Sequence, residues 1–208
     1  MKLVIFGSTG ALGGELLQQS LVAGHDVTVL VRDAAKLPNG LPDTVSVVAG
    51  NALDAAAVQR ALANDPDAVL FAIGVDKASP QNLCTDVTRH ILDCGVRRFI
   101  WCGGGSNLLP DDEITFGAKF VEGFSELFLS LRHNDKKSQL ALLDEYPDVN
   151  WYGVRPLQMN VGPLTTSYRL GYNAFSGMSK ISFADCAHAM MGMLEDDTWL
   201  RKAPIVQY

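Results

Sequence analysis

The segment Gly7-Ser8-Thr9-Gly10-Ala11-Leu12-Gly13-Gly14 stands directly after a short apolar run, Lys2–Phe6, and opens a stretch whose leucines fall at helical spacing, Ala11–Val22. A chain that passes from strand to helix through glycines is committed to one local geometry. Gly7 permits a tight turn, Gly10 removes a Cβ from the mouth of the helix, and Gly13 lets the helix lie close on its strand. The helix N-terminus then offers unpaired N–H groups and the positive end of its dipole, a receptor for a pyrophosphate. A bare glycine pattern is also met in βα turns that bind nothing. The strand before and the helix after favour the dinucleotide reading here.

The same alternation continues downstream. Strands are predicted at Asp26–Val31, 44–49, 68–73 and 97–102, each bounded by Gly, Pro, Asn or Asp, with helical stretches at 54–63 and 82–94 long enough for crossovers between parallel strands. Near-continuous apolar strands suggest burial on both faces. The expectation is an α/β protein, a doubly wound Rossmann-type parallel sheet with helices on both faces, forming a single domain over 1–208. After Cys102 the rhythm changes. Phe120, Phe124, Leu127, Phe128 and Leu131 mark one face of a helix, a second helical piece runs to about Tyr146, and Asn150–Val154 returns to strand. The segment 155–180 is irregular, and a closing helix starts near Ala184 and ends near Glu195. Segments at about 103–131 and 155–180 are therefore expected to face a substrate.

Composition narrows the partners. Seventeen Lys and Arg against 23 Asp and Glu give a net charge of −6, with no basic block, so nucleic acid is not an expected partner. The longest apolar run, 68–73, falls far short of the roughly twenty residues of a membrane span, and the apolar start breaks too early for a signal sequence. No membrane partner and a cytoplasmic location are expected. Cys84, Cys94, Cys102 and Cys186 have neither C-x-x-C nor zinc spacing and read as buried small hydrophobes, with no metal site. The expected partner is a small molecule, and the chain is read as a monomer or a homodimer.

Cofactor choice is read at the end of the second strand. There Val31 cannot accept a ribose hydrogen bond, while Arg32 can fork onto a 2′-phosphate with Lys36 about one turn further on. NADP(H) is thus expected over NAD(H). The alternative leaves Arg32 in solvent and turns Asp33 in to the ribose.

With this loop, Val27 to Asp33 and Lys36-Leu37-Pro38, the sequence resembles the atypical short-chain dehydrogenase/reductases of the NmrA-like group, and within it the biliverdin-IXβ reductase/flavin reductase branch and its bacterial NAD(P)H-binding relatives. The likeness runs on through Val48 to Asp54, Ala68 to Gly74, Val96 to Ile100, Val154-Arg155-Pro156 and Ile181 to Ala187. The resemblance implies that Gly7 to Gly13 hold the pyrophosphate, Arg32 and Lys36 the 2′-phosphate, and Asn51-Ala52 the adenine side. It places Ala72-Ile73-Gly74 near the nicotinamide ribose, Cys102-Gly103-Gly104 beside the nicotinamide, and Arg155 and Pro156 also at the cofactor. Two positions depart from the group: Asn51 follows Gly50 where Asp is common, and Gly103-Gly104-Gly105 stands where a Thr-Ser pair is expected.

Classical members of the wider superfamily stack a tyrosine and a lysine at i,i+4 on a helix, and no Tyr-x-x-x-Lys occurs here. The nearest substitute is His133-x-x-x-Lys137, whose alternative is a solvated polar helix face. Ser106 is a second proton-donor candidate, or an ordinary turn serine. His25, His90 and His188 read as surface or packed residues. Phe116, Tyr168, Tyr172 and Phe175 supply aromatic surface for a planar ligand, or core; Trp101 and Trp151 read as core. The glycine triplet admits two readings: a loop opened for a large planar ligand, or one that has lost its catalytic side chain. The function expected is NADPH-dependent reduction of a planar conjugated acceptor, a flavin, a biliverdin-like tetrapyrrole or a quinone. The alternative is a non-catalytic NADP(H) sensor acting on a protein partner; a sugar-nucleotide epimerase is disfavoured by the missing Tyr-x-x-x-Lys.

Overall fold

In the computed structural model, which describes residues 1–173 and 179–208, six parallel strands form the central sheet: β1 (Lys2–Phe6), β2 (Asp26–Val31), β3 (Val45–Ala49), β4 (Ala68–Phe71), β5 (Arg98–Cys102) and β6 (Asn150–Val154). Their order, β3-β2-β1-β4-β5-β6, is the doubly wound one, and it reverses direction between β1 and β4. Alternation along β1 distributes the core. Leu3 and Ile5 face a layer built by α1 (Ala11–Val22) and α6 (Phe183–Gly192), while Val4 and Phe6 face α2 (Ala55–Leu62), α3 (Leu83–Leu92) and α5 (Ser130–Leu143). Burial on both faces holds for β1, β4, β5 and β6. It fails for β3, an edge strand that leaves Val47 exposed.

Local chemistry sets the helix ends. Asp54 accepts from Ala56 N to cap α2, Thr115 from Ala118 N to cap α4 (Phe116–Phe128), and Ser182 from Asp185 N to cap α6. Helix α3 has no such cap, since Asn82 lies at φ +60 with no side-chain bond. Its first N–H groups are taken by a distant residue: the Asp135 carboxylate accepts from Cys84 N at 2.7 Å and from Thr85 N at 3.0 Å. The segment read as irregular contains short strands, β7 (Gln158–Asn160) pairing β9 (Lys180–Ser182) and β8 (Arg169–Gly171) pairing β10 (Ile205–Gln207). Asp185, buried at the start of α6, pins the loop before β8. Burial pushes its carboxyl up, but bonds from Thr165, Tyr208 and the Thr165 and Thr166 N–H groups outweigh that and hold it at about 2.

Trp101 and Trp151 are core, as are Cys84, Cys102 and Cys186. Cys94 is not: it lies exposed after α3, because that helix ends before its apolar stripe reaches it. No helix among the described residues is long and apolar enough to cross a membrane.

Candidate functional site

The carboxyl ends of β1 to β5 converge on three adjoining hollows, beginning with the glycine turn. Gly7 adopts φ +92, and a Cβ there would sit 2.7 Å from the Ala72 carbonyl oxygen; one at Gly13 would sit 2.0 Å from that of Gly7. Both glycines are demanded by the fold. A Cβ on Gly10 would approach nothing nearer than 3.4 Å, an ordinary contact, so packing does not explain that glycine. It lies at the mouth of α1, where no side chain caps the first turn, and Ser8 Oγ is buried beside it without a hydrogen-bond partner among the described residues. An open helix mouth and spare donors fit a pyrophosphate.

On one side of this turn lies a hollow of about 350 Å³ walled by Gly7, Thr9, Gly10, Arg32, Asn51, Ala52 and the chain from Ala72 to Gly74. Asp33 does not turn in. Its carboxylate accepts from Ala35 N at 3.0 Å and caps a single 3-10 turn, Ala34–Lys36. Arg32 has no carboxylate within ion-pair distance among the described residues, although Asp76 across the hollow feels its charge. Lys36 is exposed and does not reach the wall, because the turn carries it outward. Asn51 Oδ1 accepts from Leu53 N at 3.1 Å.

On the other side a hollow of about 260 Å³ is walled by Gly10, Ala11, Leu12, Ala72, Ile73, Gly74, Cys102 and Gly103, and is closed by Arg132 and Lys136 of α5. Lys136 is buried. Its Nζ donates to Cys102 O at 2.9 Å, Gln139 Oε1 at 3.1 Å and Ile73 O at 3.3 Å, and Gln139 donates in turn to Thr88 Oγ1 at 2.8 Å. This lysine therefore ties together the ends of β4 and β5.

Beyond Gly74 and Lys136 the space widens into a cleft of about 850 Å³. Here Ser106 Oγ lies 3.4 Å from His133 Nδ1, and Asn107 Nδ2 donates to His133 O at 3.0 Å. Burial pushes the His133 imidazole below its ordinary value, with Lys137 adding to the fall and Glu122 and Glu126 opposing it. The apolar part of the lining includes Phe124, Leu129, Met159 and Phe183.

A family of proteins described as NAD(P)H-binding matches residues 7–197, nearly the whole chain. The chain belongs to the NAD(P)H-binding family. A relative in Bacillus subtilis (strain 168), the uncharacterized protein YwnB, is 27% identical over 94% of this chain and 92% of its own. Two solved structures share the fold. One, from Streptococcus pneumoniae TIGR4 and named "a putative NADH-flavin reductase", has a TM-score of 0.76 at 23% identity, covering 100% of this chain and 99% of that one. The other, ChuY, an anaerobillin reductase from Escherichia coli O157:H7, has a TM-score of 0.80 at 16% identity, covering 100% and 97%.

Within this NAD(P)H-binding chain several sequence expectations need correction. Lys137 is exposed and does not join His133; the lysine that faces the site is its neighbour Lys136. The reason is that α5 buries a polar face: Asp135 serves as the missing cap of α3, and Lys136 and Gln139 answer carbonyl and hydroxyl groups, so the run is not a solvated face. The residue one helical turn before Lys136 is Arg132, which walls the same hollow. Arg155 does not reach the cofactor hollows. Its guanidinium is 1% exposed and closes on Asp112 at 2.5 and 2.8 Å, Asn107 O at 2.6 Å and Ala203 O at 2.6 Å. Pro156, by contrast, lines the large cleft, as does Gly104.

Packing constrains the glycine triplet, two of whose members, Gly104 and Gly105, also line the large cleft. A Cβ on Gly103 would lie 2.7 Å from the Trp101 ring, one on Gly104 2.9 Å from Asn107 Oδ1, and one on Gly105 2.7 Å from Leu157 N. The loop extends the β5–β6 pairing, with Gly103 N donating to Val154 O and Gly105 N to Pro156 O, and so delivers Ser106 to His133. Tyr168 bonds His188 and Tyr172 packs on Arg155 and Trp199, away from the cleft, while Phe116 is exposed on α4. Phe175 lies outside the described residues. His25 sits by the N-terminal amine and His90 against Ala52 O. Asn107, with a buried Oδ1 that has no partner among the described residues, and the inward face of α5 carried no motif by which the sequence could have revealed them.

Proposed function

We propose that this protein is an NADPH-dependent reductase of a planar conjugated acceptor, a flavin, a biliverdin-like tetrapyrrole or a quinone, bound in the large cleft. The observation that carries this is adjacency: the hollow beside Cys102 and Gly103 and the large cleft share Gly74, Arg132, Lys136, Met159 and Phe183 in their linings, so a cofactor's reactive end and an acceptor would lie side by side. The names of the two fold relatives, for flavin and anaerobillin reduction, agree with it.

When bound, reduced nicotinamide supplies the hydride. The chain's own residues bind, orient and protonate. The turn from Gly7 to Gly13 and the mouth of α1 hold the pyrophosphate, Arg32 takes the 2′-phosphate, and Lys136 fixes the strand ends beside the nicotinamide. Ser106 and His133 stand on the acceptor side, where the hydroxyl can pass a proton to the reduced acceptor and be resupplied from the imidazole.

Two measurements test these assignments together with the rate of NADPH oxidation in the presence and absence of FMN, riboflavin, biliverdin and a quinone, with NADH as control. Acceptor-dependent turnover is expected; tight NADPH binding without it would instead favour the sensor. Arg32→Ala should weaken NADPH binding by about 1–3 kcal/mol and leave NADH nearly unchanged; equal losses would remove the 2′-phosphate assignment. The depressed His133 pKa makes the imidazole neutral at pH 7, so a proton supplied through it becomes scarcer by about tenfold per pH unit above that pKa. Turnover should therefore rise as pH falls from 8 toward 6, and His133→Gln should flatten the rise. An unchanged slope in that variant would exclude the route.

A further inference from the structure

Among the described residues, the large cleft is lined by three cations, Arg132, Lys136 and Lys180, and by no Asp or Glu. In a chain of net charge −6 this is a local reversal of sign. The three are not equivalent. Lys136 spends its ammonium on the Cys102 and Ile73 carbonyls and on Gln139. Arg132 and Lys180 have no carboxylate within ion-pair distance among the described residues, whereas Arg89, Arg98, Arg155 and Arg201 are each paired. Glu122 and Glu126, on α4, act on His133, and Glu122 accepts from Leu108 N at 3.4 Å. Arg132 comes from α5 and Lys180 from the first residue of β9, so two unconnected elements direct uncommitted positive charge at one space.

A neutral planar ligand would use the apolar lining but would cover these two cations without replacing the water it removes from them, which is costly. A ligand with an acid group restores the lost interaction, and a guanidinium does so with two parallel hydrogen bonds. We infer that the molecule taken by this cleft carries a phosphate or carboxylate group, held by Arg132 and Lys180. The inference rests on the reductase reading for the planar part of the ligand; the charge requirement is read from binding alone. In this view Arg132 selects the acceptor rather than protonating it.

The test compares ligands that differ only in the acid group, bound to the full chain saturated with NADP⁺: FMN against riboflavin, and biliverdin against its dimethyl ester, followed by flavin fluorescence and by absorbance. In at least one pair the acid is expected to bind about tenfold or more tightly. Lys180→Met alone should reduce that ratio, and Arg132→Met with Lys180→Met should bring it to about one; both side chains are exposed, and thermal melts of the variants check that the fold is kept. Ratios near one in both pairs for the unaltered protein overturn the inference, as does no measurable binding of any of the four. A double variant that keeps the ratio but loses NADP⁺ affinity also overturns it, by giving Arg132 to the dinucleotide. NADPH consumption, measured in parallel, reads the other proposal separately: no turnover with a retained acid preference removes the reductase and leaves the acid-binding cleft.

Discussion

Gly10→Val is expected to give a folded protein that binds neither NADPH nor NADH. The backbone at Gly10 is extended, at φ −88 and ψ 168, a conformation valine adopts readily, and its Cβ would meet the Gly7 carbonyl oxygen only at 3.4 Å. Replacing glycine by valine at a helix N-cap costs about 1 kcal/mol, which lowers the melting temperature of a domain this size by roughly 2–4 °C. The added methyl groups, however, would stand in the proposed pyrophosphate site at the first turn of α1. A loss of at least about 100-fold in affinity, ~2.7 kcal/mol, is expected for both nucleotides by titration calorimetry. Gly13→Ala makes the contrast. Its Cβ would collide with the Gly7 carbonyl at 2.0 Å, so that variant should lose the fold along with the binding. Tight nucleotide binding by folded Gly10→Val would mean that the loop serves only as a turn.

The glycine turn was legible in the sequence because its chemistry is local: which residue lacks a Cβ, and whether a strand precedes and a helix follows, are facts about neighbours in the chain. The same holds for β1, α1, β2 and β6, whose apolar spacing and flanking turns fix their ends. The inward face of α5 is the opposite case. Arg132 to Lys137 is polar at every position, and nothing within the run says which side is buried. The choice is made by α3, 50 residues earlier in the chain at Thr85 to Asp135, which lacks a cap of its own and takes one from Asp135. Once Asp135 is fixed inward, helical geometry places Arg132 and Lys136 together at the cleft and sends Lys137 to solvent. Register of a helix with no apolar stripe is a tertiary property, and the one-residue error from Lys136 to Lys137 follows from that. The aromatics of α4 show the converse. Phe116, Phe120 and Phe128 have the spacing of a core face, yet among the described residues all three are exposed.

Arg155 is the residue on which motif and structure part most widely, and Arg155→Met should show it. Its side chain is 1% exposed and that of Asp112 not at all, so removing the guanidinium leaves a carboxylate buried and uncompensated, at a cost of about 3–5 kcal/mol. For a domain of this size that is a fall of roughly 6–20 °C in melting temperature. The penalty belongs to the stranded charge more than to the lost pair. Adding Asp112→Asn to Arg155→Met should therefore recover part of the loss, and the two changes should be far from additive. A residue whose role was to bind the dinucleotide would behave differently, losing NADPH affinity with stability intact and gaining nothing from the second substitution. The pair also reaches the acceptor side. Arg155 donates to Asn107 O at 2.6 Å, and Asn107 donates to the backbone of His133 at 3.0 Å, so the ion pair holds the loop that brings Ser106 within 3.4 Å of the imidazole. In whatever fraction of Arg155→Met remains folded at low temperature, NADPH should still bind, because the glycine turn is untouched, while turnover should fall, because the wall that carries Ser106, the proposed proton donor, is no longer tied to the sheet.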